Sequence, residues 1–143
     1  MNLHDKTYLS IVNTLCDLTD DTKKGVAAII VKDDNIISYG VNELPKGCLK
    51  LKERCEAPLK YNWILHAERN AILKAAKEGL KVDGCSMYVN YFPCSDCART
   101  IIQSGISKVY TPKPDLKHHK WGKSWKEAIL MFTECDVEII WID

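Results

Sequence analysis

The sequence predicts an α/β fold, a three-layer α/β/α sandwich around a mixed five-stranded sheet. Two observations carry this expectation. Segments of helical and strand periodicity alternate along the chain in the order α-β-β-α-β-α-β-α-β. The first two strands are separated only by a polar turn, which makes an antiparallel hairpin. Every later strand is reached through a helix, the connection that parallel neighbours require.

The elements follow in order. Over residues 5–18, Tyr8, Ile11, Val12 and Leu15 recur at i, i+3, i+4 and i+7, one apolar stripe of an amphipathic helix. Residues 25–32 form an apolar run of strand length, Asp33-Asp34-Asn35 a polar turn, and residues 36–40 the returning strand. From residue 43 to about 62 the periodicity lapses, and Pro45, Gly47 and Pro58 punctuate a charged loop; so long a loop is often functional. Residues 66–77, rich in strong helix formers, predict a helix stopped by Gly79. Residues 85–90 read as the third strand. Residues 94–104 read as a helix, with Pro93 just before it and Gly105 just after. Residues 107–111 give the fourth strand and residues 112–120 a polar loop. Ser124-Trp-Lys-Glu127 fits a capping box opening a last helix, and residues 137–142 give the fifth strand.

Composition narrows the function. The chain has 143 residues, the size of one domain over 1–143, with 46% hydrophobic and 27% charged residues, the balance of a folded globular protein rather than a disordered one. Lys and Arg number 20 against 19 Asp and Glu, and no dense basic run occurs, which argues against a nucleic-acid partner. No apolar run approaches the roughly 20 residues that span a membrane, and the N-terminus lacks the apolar stretch of a secretory signal. A cytoplasmic protein is expected, in the host cytoplasm if the chain is viral. Seven cysteines, an odd count without an export signal, then point to metal ligands, catalytic groups or buried packing residues rather than to disulfides.

Two short segments carry chemistry: His66-Ala67-Glu68 at the start of one predicted helix, and Pro93-Cys94-Ser95-Asp96-Cys97 at the start of another. His66, Cys94 and Cys97 offer the nitrogen and sulfur donors of a zinc site, and three protein ligands leave a fourth position open, as in catalytic sites. Helix N-termini favour thiolates. Glu68, two residues from His66, is free to stand beside a metal-bound water and move protons. A redox Cys-x-x-Cys pair and a structural zinc site completed by Cys85 are the competing readings. The combined H-x-E and P-C-x-x-C pattern is more specific than either, and is a zinc deaminase signature.

On these motifs the chain resembles the cytidine and deoxycytidylate deaminase family, and within it the compact deoxycytidylate (dCMP) deaminases of phages and bacteria. The resemblance runs through residues 21–31, through His66-Ala67-Glu68-Arg69-Asn70-Ala71-Ile72, through residues 87–98 and through Ile101-Ile102-Gln103-Ser104-Gly105-Ile106. It implies a cytidine deaminase-like sandwich and one catalytic Zn2+ held by His66, Cys94 and Cys97. It implies hydrolysis of dCMP to dUMP and ammonia, supplying thymidylate synthesis, with Glu68 as the catalytic proton carrier. Alternatives are deamination of dCTP, of both nucleotides, or of a free nucleoside or base; a non-catalytic, nucleotide-sensing zinc protein is the reading from another class.

The resemblance also implies substrate contacts from Asn42, Ala67, Asn70 and Pro93, with Asn42 at the sugar. Around Asn42 the family reads Gly-Tyr-Asn-Gly, whereas this chain reads Gly40-Val41-Asn42-Glu43. That loop serves a nucleotide effector site in relatives, so the departure bears on whether dCTP and dTTP, with Mg2+, act as effectors. A homo-oligomer is implied, with a hexamer favoured. Candidate phosphate donors are Lys46, Lys50, Lys52, Arg54 and Lys60 in the long loop, with Arg69 and Asn70 after the histidine. Some relatives carry a second, structural zinc in this loop; Cys48 and Cys55 supply only two of its ligands. Cys16, Cys85 and Cys135 are expected to be packing residues, His118-His119 a pair at the pocket mouth or in solvent, and Trp121 and Trp125 packing groups.

Overall fold

The computed structural model describes residues 1–142. Five helices, α1 (Leu3–Leu15), α2 (Lys60–Trp63), α3 (Ala67–Lys77), α4 (Ser95–Ser104) and α5 (Gly122–Glu134), accompany five strands. The strands are β1 (Ala27–Lys32), β2 (Asn35–Val41), β3 (Ser86–Val89), β4 (Lys108–Pro112) and β5 (Glu138–Ile142). They form one mixed sheet in the order β2-β1-β3-β4-β5. β1 runs antiparallel to both β2 and β3, while β3, β4 and β5 run parallel to one another, as the hairpin-then-crossover reading expects.

Strand alternation divides the core into two layers. Ala27, Ile29, Val31 and Tyr88 pack with Tyr8 and Val12 of α1 on one face. Ala28, Ile30, Met87, Val89 and Val109 pack with α3, α4 and α5 on the other. The crossovers β3-α4-β4 and β4-α5-β5 therefore deliver both helix starts to the same side as α3. Gly40 of β2 sits where α3 crosses, and a Cβ there would overlap the backbone of Ala67 and Ala71. Glycine thus lets the first turn of α3 lie directly on the sheet. None of the described helices is long and apolar enough to cross a membrane.

Three local readings are corrected. The first helix starts at Leu3, two residues ahead of the expected Asp5: Asn2 accepts the Asp5 N–H at 2.9 Å and Asp5 accepts the Asn2 N–H at 3.1 Å, a capping box. The pattern at Ser124–Glu127 is no capping box, because α5 already begins at Gly122 with Trp121 as its N-cap. The backbone N–H groups of Lys120 and Trp121 instead donate to Nδ1 of His118, both at 3.1 Å. Cys135 is exposed at the end of α5 rather than packed.

The long loop is more ordered than its sequence suggests. It contains α2 and a 3-10 turn, Lys52–Cys55. Three consecutive residues before β1 hold it: Asp20 accepts the Leu44 N–H and pairs with Lys50, Asp21 pairs with Lys60, and Thr22 donates to the Cys55 carbonyl. The Asp21–Lys60 pair is buried and bidentate, at 2.9 and 3.0 Å. A buried lysine needs such a partner.

Candidate active site

Two helix starts meet in the site. His66 is the N-cap of α3 and Cys94 the N-cap of α4, and both have extended backbone angles. An N-cap side chain usually accepts a backbone N–H from the first turn. Neither does so here, which leaves the imidazole and the thiol to face each other. Nδ1 of His66 lies 3.4 Å from Sγ of Cys94 and 3.4 Å from Sγ of Cys97.

The donor set fits a zinc ion. Bonds of about 2.0–2.1 Å to nitrogen and 2.3 Å to sulfur at a tetrahedral angle put such donors about 3.6 Å apart. The three ligand atoms lie within 4.8 Å of one another, and His66, Cys94 and Cys97 are the one such group among the described residues. Cys48 and Cys55 belong to no such group there.

The electrostatics suit a cation. The neighbouring Cys97 thiol, then His66, hold the Cys94 thiol down to about 4. Cys97 itself is pushed up, first by its hydrogen bond to Cys94 and then by burial. The pair thus favours the thiolate at Cys94, the form that ligates a metal. Glu68, in the first turn of α3, is 4% exposed, and burial pushes its carboxyl above the usual range. No salt bridge to Glu68 forms among the described residues.

These groups border a cavity of about 330 Å3. Its floor is His66, Ala67, Glu68 and Cys94, and its walls include Val26, Ile64, Phe92 and the indoles of Trp121 and Trp125. Its polar rim comprises Asp21, Lys23, Lys24, Lys60, Tyr61, His118, His119 and Lys120. Lys24 lies over the Tyr91 ring at 4.9 Å and Lys120 over the Tyr61 ring at 3.1 Å. Lys23, Lys24 and Lys120 have no carboxylate partner among the described residues.

The expected substrate residues divide. Asn42 lines the cavity, but its side chain is largely committed to the loop before β1. Its Oδ1 accepts from Thr19 Oγ1 at 2.5 Å and the Val26 N–H at 3.0 Å, and its Nδ2 donates to the Lys24 carbonyl at 2.7 Å. One Nδ2 hydrogen is left to reach the cavity. Ala67 lines the floor, while Pro93 is buried behind Phe92 and Cys94 and does not line it.

Asn70 is not brought to this cavity. Its Nδ2 donates to the Val41 carbonyl at 2.9 Å and to Glu43 at 3.0 Å, and it lines a separate groove with Lys46 and Lys74. Of the other phosphate candidates, Lys50 pairs with Asp20 and Arg54 stacks on Trp63 at 3.8 Å. The Arg69 Nε is buried without a partner among the described residues, and Arg69 does not line the cavity. Lys60 alone of those candidates is at the rim. Lys23, Lys24, Lys120 and Tyr61 were not foreseen. Lys23 and Lys24 directly precede the β1 run, and that adjacency was the available signal.

A family model, the cytidine and deoxycytidylate deaminase zinc-binding region, matches residues 2–113. The chain belongs to this family. Its members include an uncharacterized deaminase in the luxG 3' region of Aliivibrio fischeri, 36% identical over 138 residues, covering 96% of this chain and 92% of that protein. Human deoxycytidylate deaminase is 38% identical over 109 residues, covering 71% of this chain and 60% of the human protein. The chain thus spans less than two thirds of the human relative's length. Among solved structures, the dCMP deaminase of cyanophage S-TIM5 in apo form superposes with a TM-score of 0.81 at 25% identity, over 99% of this chain and all of that one. The same family member in complex with dCMP and dUMP gives a TM-score of 0.78 at 26% identity, over 99% of each chain.

Proposed function

We propose that the chain catalyses hydrolytic deamination of dCMP to dUMP and ammonia. The observation that carries this reading is the buried Glu68 carboxyl on the floor of the same cavity as His66 and Cys94. The S-TIM5 relative, bound to dCMP and dUMP, supports the choice of nucleotide.

His66, Cys94 and Cys97 would hold zinc, which when bound supplies a Lewis acid that lowers the pKa of a coordinated water toward about 7. Glu68 takes the water's proton and delivers it to the pyrimidine ring nitrogen. Oxygen bonds to the amine-bearing ring carbon; Glu68 then takes the remaining hydroxyl proton and passes it to the amine, and the carbon–nitrogen bond breaks as the carbonyl forms and ammonia leaves. The apolar walls exclude bulk water and so strengthen the polar contacts inside. Lys24 and Lys120, seated on aromatic rings without carboxylate partners, are the groups we assign to the 5′-phosphate, with Lys23 beside them.

The reading extends to regulation and assembly. Glu43 stands where relatives have glycine, and its carboxylate is set by Asn70 and by Lys74 at 3.4 Å. Effector roles for dCTP and dTTP with Mg2+ are read by titrating the dCMP rate with each, an unchanged rate being the outcome that the departure at Glu43 favours. Assembly into a homo-oligomer, with a hexamer favoured, is carried over from the resemblance and is checked by sedimentation. The deciding experiment is ammonia release from dCMP, dCTP, deoxycytidine, CMP and guanine by the zinc-loaded protein. Highest kcat/KM on dCMP is expected, and absence of release from every cytosine nucleotide overturns the proposal.

A further inference from the structure

The start of α5 touches one ligand candidate and the residues flanking another. Trp121 sets its ring edge-on to the His66 imidazole, with centroids 6.1 Å apart and planes at 77°. Ser124 Oγ accepts the Ser95 N–H at 2.8 Å and lies 3.1 Å from Ser95 Oγ. Trp125 Nε1 donates to the Phe92 carbonyl at 3.1 Å, and this bond is buried. These contacts bracket Cys94: Phe92 lies two residues before it and Ser95 one after.

The chemistry of a helix start gives the arrangement its purpose. Ser95 is the first residue of α4, so its N–H has no intrahelical acceptor. The N-cap side chain is the usual help at such a start, but here it is Cys94, whose sulfur faces His66. Ser124 supplies an acceptor from another helix and so contributes to α4 without recruiting the Cys94 sulfur. Trp125 fixes the backbone on the other side of Pro93. Packing alone accounts for the indole's bulk but not for the Ser124 hydroxyl, since an alanine would fill that space. The whole turn lies beyond residues 2–113, the stretch that the family model matches.

We infer that Ser124 and Trp125 are positioning residues for the metal centre: they hold the Phe92–Ser95 backbone so that Cys94 and His66 stand at ligand spacing before the ion arrives. The inference rests on the reading that His66, Cys94 and Cys97 bind zinc. Partners that orient ligands in this way typically change metal affinity by about 10–100-fold when removed.

The test is zinc affinity by chelator competition for the full chain and for Ser124→Ala, Ser124→Thr and Trp125→Phe, beside thermal unfolding of the metal-free forms. Ser124→Ala is expected to weaken zinc binding by about 10-fold or more, and Ser124→Thr to restore it. Trp125→Phe, which keeps an aromatic ring and loses the N–H, is expected to weaken binding and to shift the thiolate-to-metal absorption of the Co2+-loaded protein. Zinc affinity within two-fold of the parent in both Ser124→Ala and Trp125→Phe, with only the melting temperature lowered, overturns the inference. If Ser124→Ala fails to fold, Trp125→Phe decides alone, and zinc affinity within two-fold of the parent in it overturns the inference. The underlying assignment fails separately: Cys94→Ser would then retain stoichiometric zinc.

Discussion

Two concavities share helix α3, and they differ in a way that size does not reveal. The groove against β2 encloses about 690 Å3, roughly twice the 330 Å3 of the cavity at the helix start. In the larger one, the buried polar groups are satisfied: Asn70 donates to Val41 and Glu43, and Lys74 pairs with Glu43. In the smaller one, the buried Glu68 carboxyl has no cationic partner among the described residues. Groups left waiting for a partner, rather than volume, mark where a ligand is to supply the missing charge.

The contrast can be broken from either side. Glu68→Gln should leave zinc content and fold intact while lowering kcat for dCMP by about 10²–10⁴-fold, as loss of a general acid–base requires. Ammonia release with parallel zinc analysis reads this, and a variant of near-parental rate would remove Glu68 from the chemistry. Lys120→Ala should lower kcat/KM for dCMP by about 10-fold, the cost of one charge-assisted hydrogen bond, and leave deoxycytidine turnover within two-fold. Equal losses on both substrates would show that Lys120 does not meet the phosphate.

The other concavity should answer in stability. Asn70→Ala leaves the Val41 carbonyl without this donor in a buried setting and Glu43 with Lys74 alone, which should cost about 1–3 kcal/mol in denaturant unfolding. A rise in KM for dCMP without that loss would return Asn70 to the substrate. Lys74→Ala, at a partly exposed ion pair, should change stability by at most about 1 kcal/mol. Its kcat and KM should match the parent's, and a larger activity change would make the groove a functional site.

How much of this was legible beforehand follows from the kind of information each feature uses. The sheet and the ligand set are local in sequence: hydrophobic periods fix the strands, and H-x-E and P-C-x-x-C place their donors at helix starts. Asn70 stands outside the cavity, and the sequence carries a signal for that. At about 100° per residue, positions 68 and 70 diverge by about 200°, so a helix that turns Glu68 into the cavity turns Asn70 away. The rim was less accessible. Tyr61 and Lys120 meet from two irregular segments, and no period relates them. The last helix misled because a Ser-x-x-Glu spacing occurs inside first turns as well as ahead of them, and the acceptor at its real start, His118 Nδ1, lies in the preceding loop.

The grip of the last helix on the ligand loop also has a consequence in time. During synthesis the chain emerges from its N-terminus, and a nascent stretch ending near residue 113 already carries His66, Glu68, Cys94 and Cys97. It lacks the serine and indole that steady the loop between β3 and α4. On this inference, tight metal capture waits until α5 has been made, and a bound ion would report that this helix has docked.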